Sequence, residues 1–92
     1  MLESTVTVRN PLGMHARAAA RFVHAAGAFQ ARVTVTRADR GDRRVDGKSI
    51  LGLLLLAAAR GAVLQITAEG ADEGEALGAL CRLVEAGFGE EP

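Results

Sequence analysis

The sequence has no tryptophan and no tyrosine, and its only aromatic residues are Phe22, Phe29 and Phe88. A stacking platform for bases or sugar rings therefore cannot be built in the usual way. Cysteine occurs once, at Cys81, which excludes an intramolecular disulfide and a cysteine-rich zinc site. The longest apolar run, Leu53 to Ala59, is far short of the roughly 20 residues that cross a bilayer. The first residues, Met1-Leu2-Glu3-Ser4, lack the basic-then-apolar layout of a secretion signal. Charge of one sign is also missing: eleven Lys and Arg meet eleven Asp and Glu. That balance argues against a general nucleic-acid binder, which would carry a basic excess. What is present is a 92-residue chain with 49% apolar residues, enough for one small core. The reading is a single domain, 1–92, in a cytoplasmic protein that inserts into no membrane.

The zero net charge hides an asymmetry. Residues 1–60 hold ten basic and four acidic residues, whereas residues 61–92 hold one and seven. A basic first part can steer an acidic partner protein as well as a polyanion; an ordinary uneven surface is the plainer alternative.

Hydrophobic periodicity gives the element order. Ser4–Arg9 alternates, with Val6 and Val8 on one face, and reads as a half-buried strand. Asn10-Pro11-Leu12-Gly13 has turn chemistry. Ala16–Ala26 has helical spacing, with Ala19, Phe22, Val23 and Ala26 on the inner stripe and Arg17, Arg21 and His24 outward. Gly27 suits its C-terminal cap. Ala31–Arg37 alternates with Val33 and Val35 inward, Asp39–Asp42 reads as a hairpin loop, and Arg43–Asp46 as a short return strand. Ser49–Arg60 reads as a leucine-rich helix stopped by Gly61, and Ala62–Ala68 as a strand with Leu64 and Ile66 on one face. Asp72, with Glu75 three residues on, resembles a capping box. The helix it opens carries Leu77, Leu80, Cys81 and Val84 on its apolar stripe and ends at Gly87 or Gly89. Glu90-Glu91-Pro92 reads as a frayed tail. The order is βαββαβα. Strands with one polar face predict an α+β fold, an open-faced two-layer sandwich of a four-stranded antiparallel sheet covered on one side by three helices.

The chemistry concentrates at His15, just ahead of the first helix. The first turn of a helix offers backbone N–H groups without intrahelical acceptors, and with the helix dipole they form an anion site. Arg17 adds a planar fork of donors suited to phosphate oxygens. Imidazole titrates near neutrality and offers a nitrogen able to attack phosphorus. His15-Ala16-Arg17 thus combines a nucleophile, an oxyanion cradle and a counter-charge, and Gly13 lets the turn come close. The plainer alternative is a polar residue at a helix end beside a solvated arginine. Metal ligation is not expected, since the only other histidine, His24, has no carboxylate at ligand spacing on its helix. Cys81 reads as a small buried apolar residue.

Asn10-Pro-Leu-Gly-Met-His-Ala-Arg17 and Gly47-Lys-Ser-Ile-Leu-Gly52 closely resemble HPr, the histidine-containing phosphocarrier family of the bacterial phosphoenolpyruvate:sugar phosphotransferase system. The similarity runs from Val6 to Gly87 and includes Ala68-Glu-Gly-Ala-Asp-Glu73. The family fold, an open-faced sandwich of four strands and three helices, agrees with the order above. The resemblance implies a stoichiometric carrier and not an enzyme, phosphorylated at Nδ1 of His15, with Arg17 touching the phosphoryl group. Enzyme I would be the donor and sugar-specific IIA proteins or domains the acceptors. Ser49 matches the serine modified by HPr kinase/phosphorylase; as an alternative it is simply an N-cap. Ile50, Leu51 and Leu54, with Ala16, Arg17, Ala20, Arg21 and His24, would form the partner face, while Leu53 and Leu56 belong to the core. No cofactor, metal or nucleic acid is expected, and the chain is expected to be a monomer. The family commonly has proline after the arginine, where this chain has Ala18, so a slightly looser first turn is expected. Three other readings stand beside this one: the nitrogen-branch paralogue of HPr, a small acylphosphatase-like enzyme, whose phosphate loop is missing here, and a ligand-binding regulatory module, which leaves His15-Ala16-Arg17 unexplained.

Overall fold

The computed structural model describes residues 1–39 and 43–90. Four strands, β1 (Leu2–Thr7), β2 (Arg32–Arg37), β3 (Arg44–Asp46) and β4 (Val63–Glu69), form one antiparallel sheet in the order β1-β4-β2-β3. Three helices follow the predicted places: α1 (Ala16–Gly27), α2 (Ile50–Leu55) and α3 (Glu73–Glu85). A short 3₁₀ turn at Gly87–Gly89 closes the described chain. Because β4 lies between β1 and β2, those two strands run the same way and α1 crosses over their gap.

Alternation sets which face each strand buries. Val6 pairs with Leu64, Val35 with Ile66 on one side and Val45 on the other, and Val33 with Ala68. All of these side chains are buried, together with Val8. On them lie Ala18, Ala19, Phe22 and Ala26 of α1, Leu53 of α2, and Leu80 and Val84 of α3. The opposite faces carry Thr5, Thr7, Thr34, Thr36 and Thr67, so one side of the sheet stays polar. On α1 the buried stripe takes in Ala18, while Val23 is only half-buried. On α3 Ala76 is buried, and Leu77 and Cys81 pack at the margin of the core. Burial pushes the Cys81 thiol above its ordinary range, as befits a packing residue.

Four sequence expectations are corrected. The helix expected over Ser49–Arg60 stops at Leu55. Ala57 turns into the left-handed region, Ala58 is buried, and the Ala58 carbonyl accepts the Met14 N–H at 2.8 Å. The Arg37 guanidinium donates to the carbonyls of Leu56 and Ala57, satisfying the helix end. Leucine-rich propensity therefore loses to a tertiary pairing with the turn before His15. Gly13 makes that pairing feasible: its φ is +67°, and a Cβ there would sit 2.5 Å from the Ala58 carbonyl oxygen.

Asp72 stands at the head of α3 but makes no capping bond to it. Its carboxylate instead accepts the N–H groups of Gln30 (2.9 Å) and Ala31 (2.8 Å), fastening the entrance of β2. Glu73, and not Glu75, reaches back, accepting the Gly70 N–H at 3.2 Å. Gly27 is the last residue of α1 and Ala28 the cap, in right-handed geometry. The fourth correction concerns the tail. Glu90 is not frayed; it is folded against the head of α1, whereas Glu91 and Pro92 lie outside the described residues, as does most of the expected hairpin loop, 40–42.

Phe22 is fully buried at the centre of the core. Phe22→Ala should lower the unfolding free energy by about 3–5 kcal/mol, read from urea denaturation. Chiefly the Gln30 N–H, with that of Ala31 adding, holds the Asp72 carboxyl below its ordinary value of 3.8. A carboxyl lowered on folding contributes stability above its unfolded value, and loses it as pH falls through the folded one. Asp72→Asn should therefore reduce stability at neutral pH and flatten its decline below about pH 4, measured as urea midpoint against pH.

Candidate functional site at the head of the first helix

The turn Asn10–Gly13 brings the chain off β1 and aims it into α1. Gly13 N–H donates to the Asn10 carbonyl, and the buried Asn10 side chain donates back to the Gly13 carbonyl at 2.7 Å. Met14 is anchored in the core and tied to Ala58. His15 is thereby held at the N-cap in extended geometry, φ −82° and ψ 179°. Its carbonyl accepts the Ala19 N–H, starting the helix, and its own Nδ1 accepts the Arg17 N–H at 3.2 Å. The imidazole fills the role that serine or aspartate has at other helix starts.

The other ring nitrogen is engaged as well. Nε2 lies 2.7 Å from Oε1 of Glu90, and the same oxygen accepts Nδ2 of Asn10 at 2.9 Å. His15 keeps 26% of its side-chain exposure and Glu90 17%, so the pair is partly shielded while the ring edge remains reachable. No carboxylate occurs in the first turn of α1 to compete for its amides. Arg17, the second helical residue, is exposed, and among the described residues nothing holds its guanidinium. Ala18, in the place of the family's proline, is the third helical residue and is completely buried.

The remaining expected residues divide. Ala16, Arg17, Ala20, Arg21 and His24 lie along α1, and all five are exposed. Ile50, Leu51 and Leu54 are exposed on α2, with Leu51 at 68%, while Leu53 and Leu56 are buried. Helices α1 and α2 pack on each other. Arg17, Ala20, Arg21 and His24 also line a shallow groove whose far wall is Leu83 of α3, a boundary the sequence did not indicate. Arg21 also braces the chain beyond α3, where its guanidinium donates to the Phe88 carbonyl. Ser49 is the N-cap of α2, its Oγ accepting the Gly52 N–H at 3.0 Å.

The residue that sequence reading missed is Glu90. Its signal was faint: two glycines around a phenylalanine, ahead of a carboxylate, in a segment otherwise like a solvated tail.

Comparison with known proteins gives the family and the fold. The family model of the PTS HPr component phosphorylation site matches residues 2–86. The phosphocarrier protein HPr of Neisseria meningitidis is 47% identical over 90 residues, covering 98% of each chain. The phosphocarrier protein NPr of Shewanella violacea is 39% identical, covering 97% of this chain and 94% of that one. The crystal structure of HPr-C-His from Thermoanaerobacter tengcongensis superposes with a TM-score of 0.91 at 41% identity, covering both chains completely. A matching model over nearly the whole length, and relatives well above 30% identity, place the chain in the HPr family of phosphocarrier proteins.

Proposed function

We propose that this protein carries a phosphoryl group on Nδ1 of His15, taking it from phosphorylated Enzyme I and passing it to sugar-specific IIA proteins or domains. The observation that carries the reading is the position of Nδ1: its lone pair accepts the N–H of Arg17 in the first turn of α1, and no other described residue engages the side chain of that arginine. In the transfer the Nδ1 lone pair bonds to phosphorus as the donor's P–N bond breaks, and that electron pair returns to the donor nitrogen. The Arg17 N–H, released from Nδ1, can then donate to a phosphoryl oxygen, and the Arg17 side chain supplies counter-charge. Catalytic help of this kind is positioning and electrostatics.

A carrier must also let go. Each 1.4 kcal/mol of extra stabilisation of phospho-His15 would shift the relay about tenfold towards retention. One arginine and one helix start on a partly open ring fit a carrier better than a deep charged cradle would. The exposed leucines of α2 and the arginine-bearing face of α1 suit a transient interface with an acidic partner surface. The nitrogen branch is the second reading, kept by the resemblance to an NPr; Ser49 followed by Ile50 favours the sugar branch.

Phosphoenolpyruvate with Enzyme I should place one acid-labile phosphate on His15, and His15→Ala should abolish it. Enzyme I of the nitrogen branch should act much more slowly; the reverse order of rates would transfer the protein to that branch. Arg17→Ala should slow transfer about 100-fold, while the urea midpoint stays nearly unchanged; equal rates would remove Arg17 from the site.

Ser49 is proposed as a regulatory acceptor for HPr kinase/phosphorylase. A phosphate there adds about −1.5 to −2 charges at the start of α2, next to the exposed Ile50 and Leu51. Incubation with the kinase and ATP should map a phosphate to Ser49 by mass spectrometry. The modified protein should then accept phosphate from Enzyme I more slowly without losing its circular dichroism.

A further inference from the structure

We propose that Glu90 is a positioning residue for His15: its carboxylate keeps the proton of the neutral ring on Nε2, which leaves Nδ1 as the nitrogen with the free lone pair. A neutral imidazole has one N–H, and the hydrogen bond made by one nitrogen decides the state of the other. Here two contacts specify the same tautomer. The Arg17 N–H can only donate, so Nδ1 must accept. An ionised carboxylate can only accept, so Nε2 must donate to Oε1 of Glu90. The opposite tautomer would set N–H against N–H at one nitrogen and lone pair against carboxylate at the other.

The chain is shaped to deliver this carboxylate. Gly87, Phe88 and Gly89 are all left-handed, with φ of 67°, 59° and 75°. For Phe88 that conformation is unfavourable, yet its ring is buried in the core and Arg21 holds its carbonyl. The turn ends with Glu90 N–H donating to the Gly87 carbonyl at 3.1 Å. Asn10, itself buried, then fixes the carboxylate by donating to the oxygen that faces the ring. Strain in the backbone thus has a specific product, a carboxylate on the far side of the imidazole from the helix amides.

Its second consequence rests on the phosphocarrier reading. When Nδ1 bonds to phosphorus with Nε2–H still in place, the ring takes up positive charge as the donor's nitrogen recovers its electron pair. Glu90 lies against the N–H that shares this charge, on the side away from the incoming phosphoryl group. The same contact serves the return step, in which the P–N bond breaks and the ring becomes neutral again.

The test uses the full-length chain, ¹⁵N-labelled at histidine, with the ring neutral at alkaline pH. The His15 shifts should show Nδ1 unprotonated and Nε2 protonated. Glu90→Gln keeps an acceptor and should keep this tautomer, while transfer from phosphorylated Enzyme I slows about tenfold. Glu90→Ala should give shifts averaged between tautomers and slow transfer at least as much. Its circular dichroism and the His24 signals should not change. A wild-type ring protonated on Nδ1, or a Glu90→Ala spectrum identical to wild type at His15, would overturn the proposal. If the tautomer responds as expected but Enzyme I never phosphorylates His15, the carrier reading fails and the hold of Glu90 on the ring stands.

Discussion

Everything at the functional end of this molecule depends on an imidazole acting as the N-cap of α1. A helix start must find acceptors for its first amides, and here Nδ1 of His15 takes the Arg17 N–H. The cap orients the ring without burying it, and it aims Nδ1 at the positive end of the helix. In the proposed transfer, the arriving phosphoryl group would replace this one hydrogen bond.

That cap is held from three separate parts of the chain. The turn behind it is closed by Asn10 and Gly13, and α2 ends early so that Ala58 can accept the Met14 amide. The last described residue, Glu90, lies on Nε2. The charge asymmetry of the sequence therefore has a spatial outcome: a carboxylate from the acidic end folds onto the basic first half, where Arg21 secures the turn that brings it. The basic residue closest to the ring in sequence, Arg17, is left exposed. Restraint of the ring and openness of the arginine together suit a group that is received and then surrendered.

Much of the fold was legible because its determinants are local. Val33 and Val35 alternate with threonines, Ala19, Phe22 and Ala26 repeat at helical spacing, and both patterns found the predicted layers. His15 was legible for the same reason, as it lies between a turn signal and a helix signal. The division of α2 into exposed Ile50, Leu51 and Leu54 and buried Leu53 and Leu56 agreed with expectation. The errors share one cause. Asp72 has an N-cap's sequence neighbours, yet its carboxylate found the open amides of Gln30 and Ala31 across the fold. Leucines after Ser49 favour a long helix, yet the Ala58 carbonyl has a better partner in Met14 than a further helical turn would provide.

Local patterning along the chain was enough for the element order, the inner face of each strand, most of the buried stripe of α1, and the placing of His15 and Arg17 at a helix start. These follow from backbone periodicity and from amides that every helix leaves open, properties of neighbours along the chain. What meets Nε2 of that histidine was settled by long-range folding. Glu90 is 75 residues away in sequence. Its arrival depends on Phe88 being buried, on glycines on both sides taking left-handed angles, and on an arginine from α1 holding the turn. No periodicity encodes such a meeting, because it exists only once the core has closed.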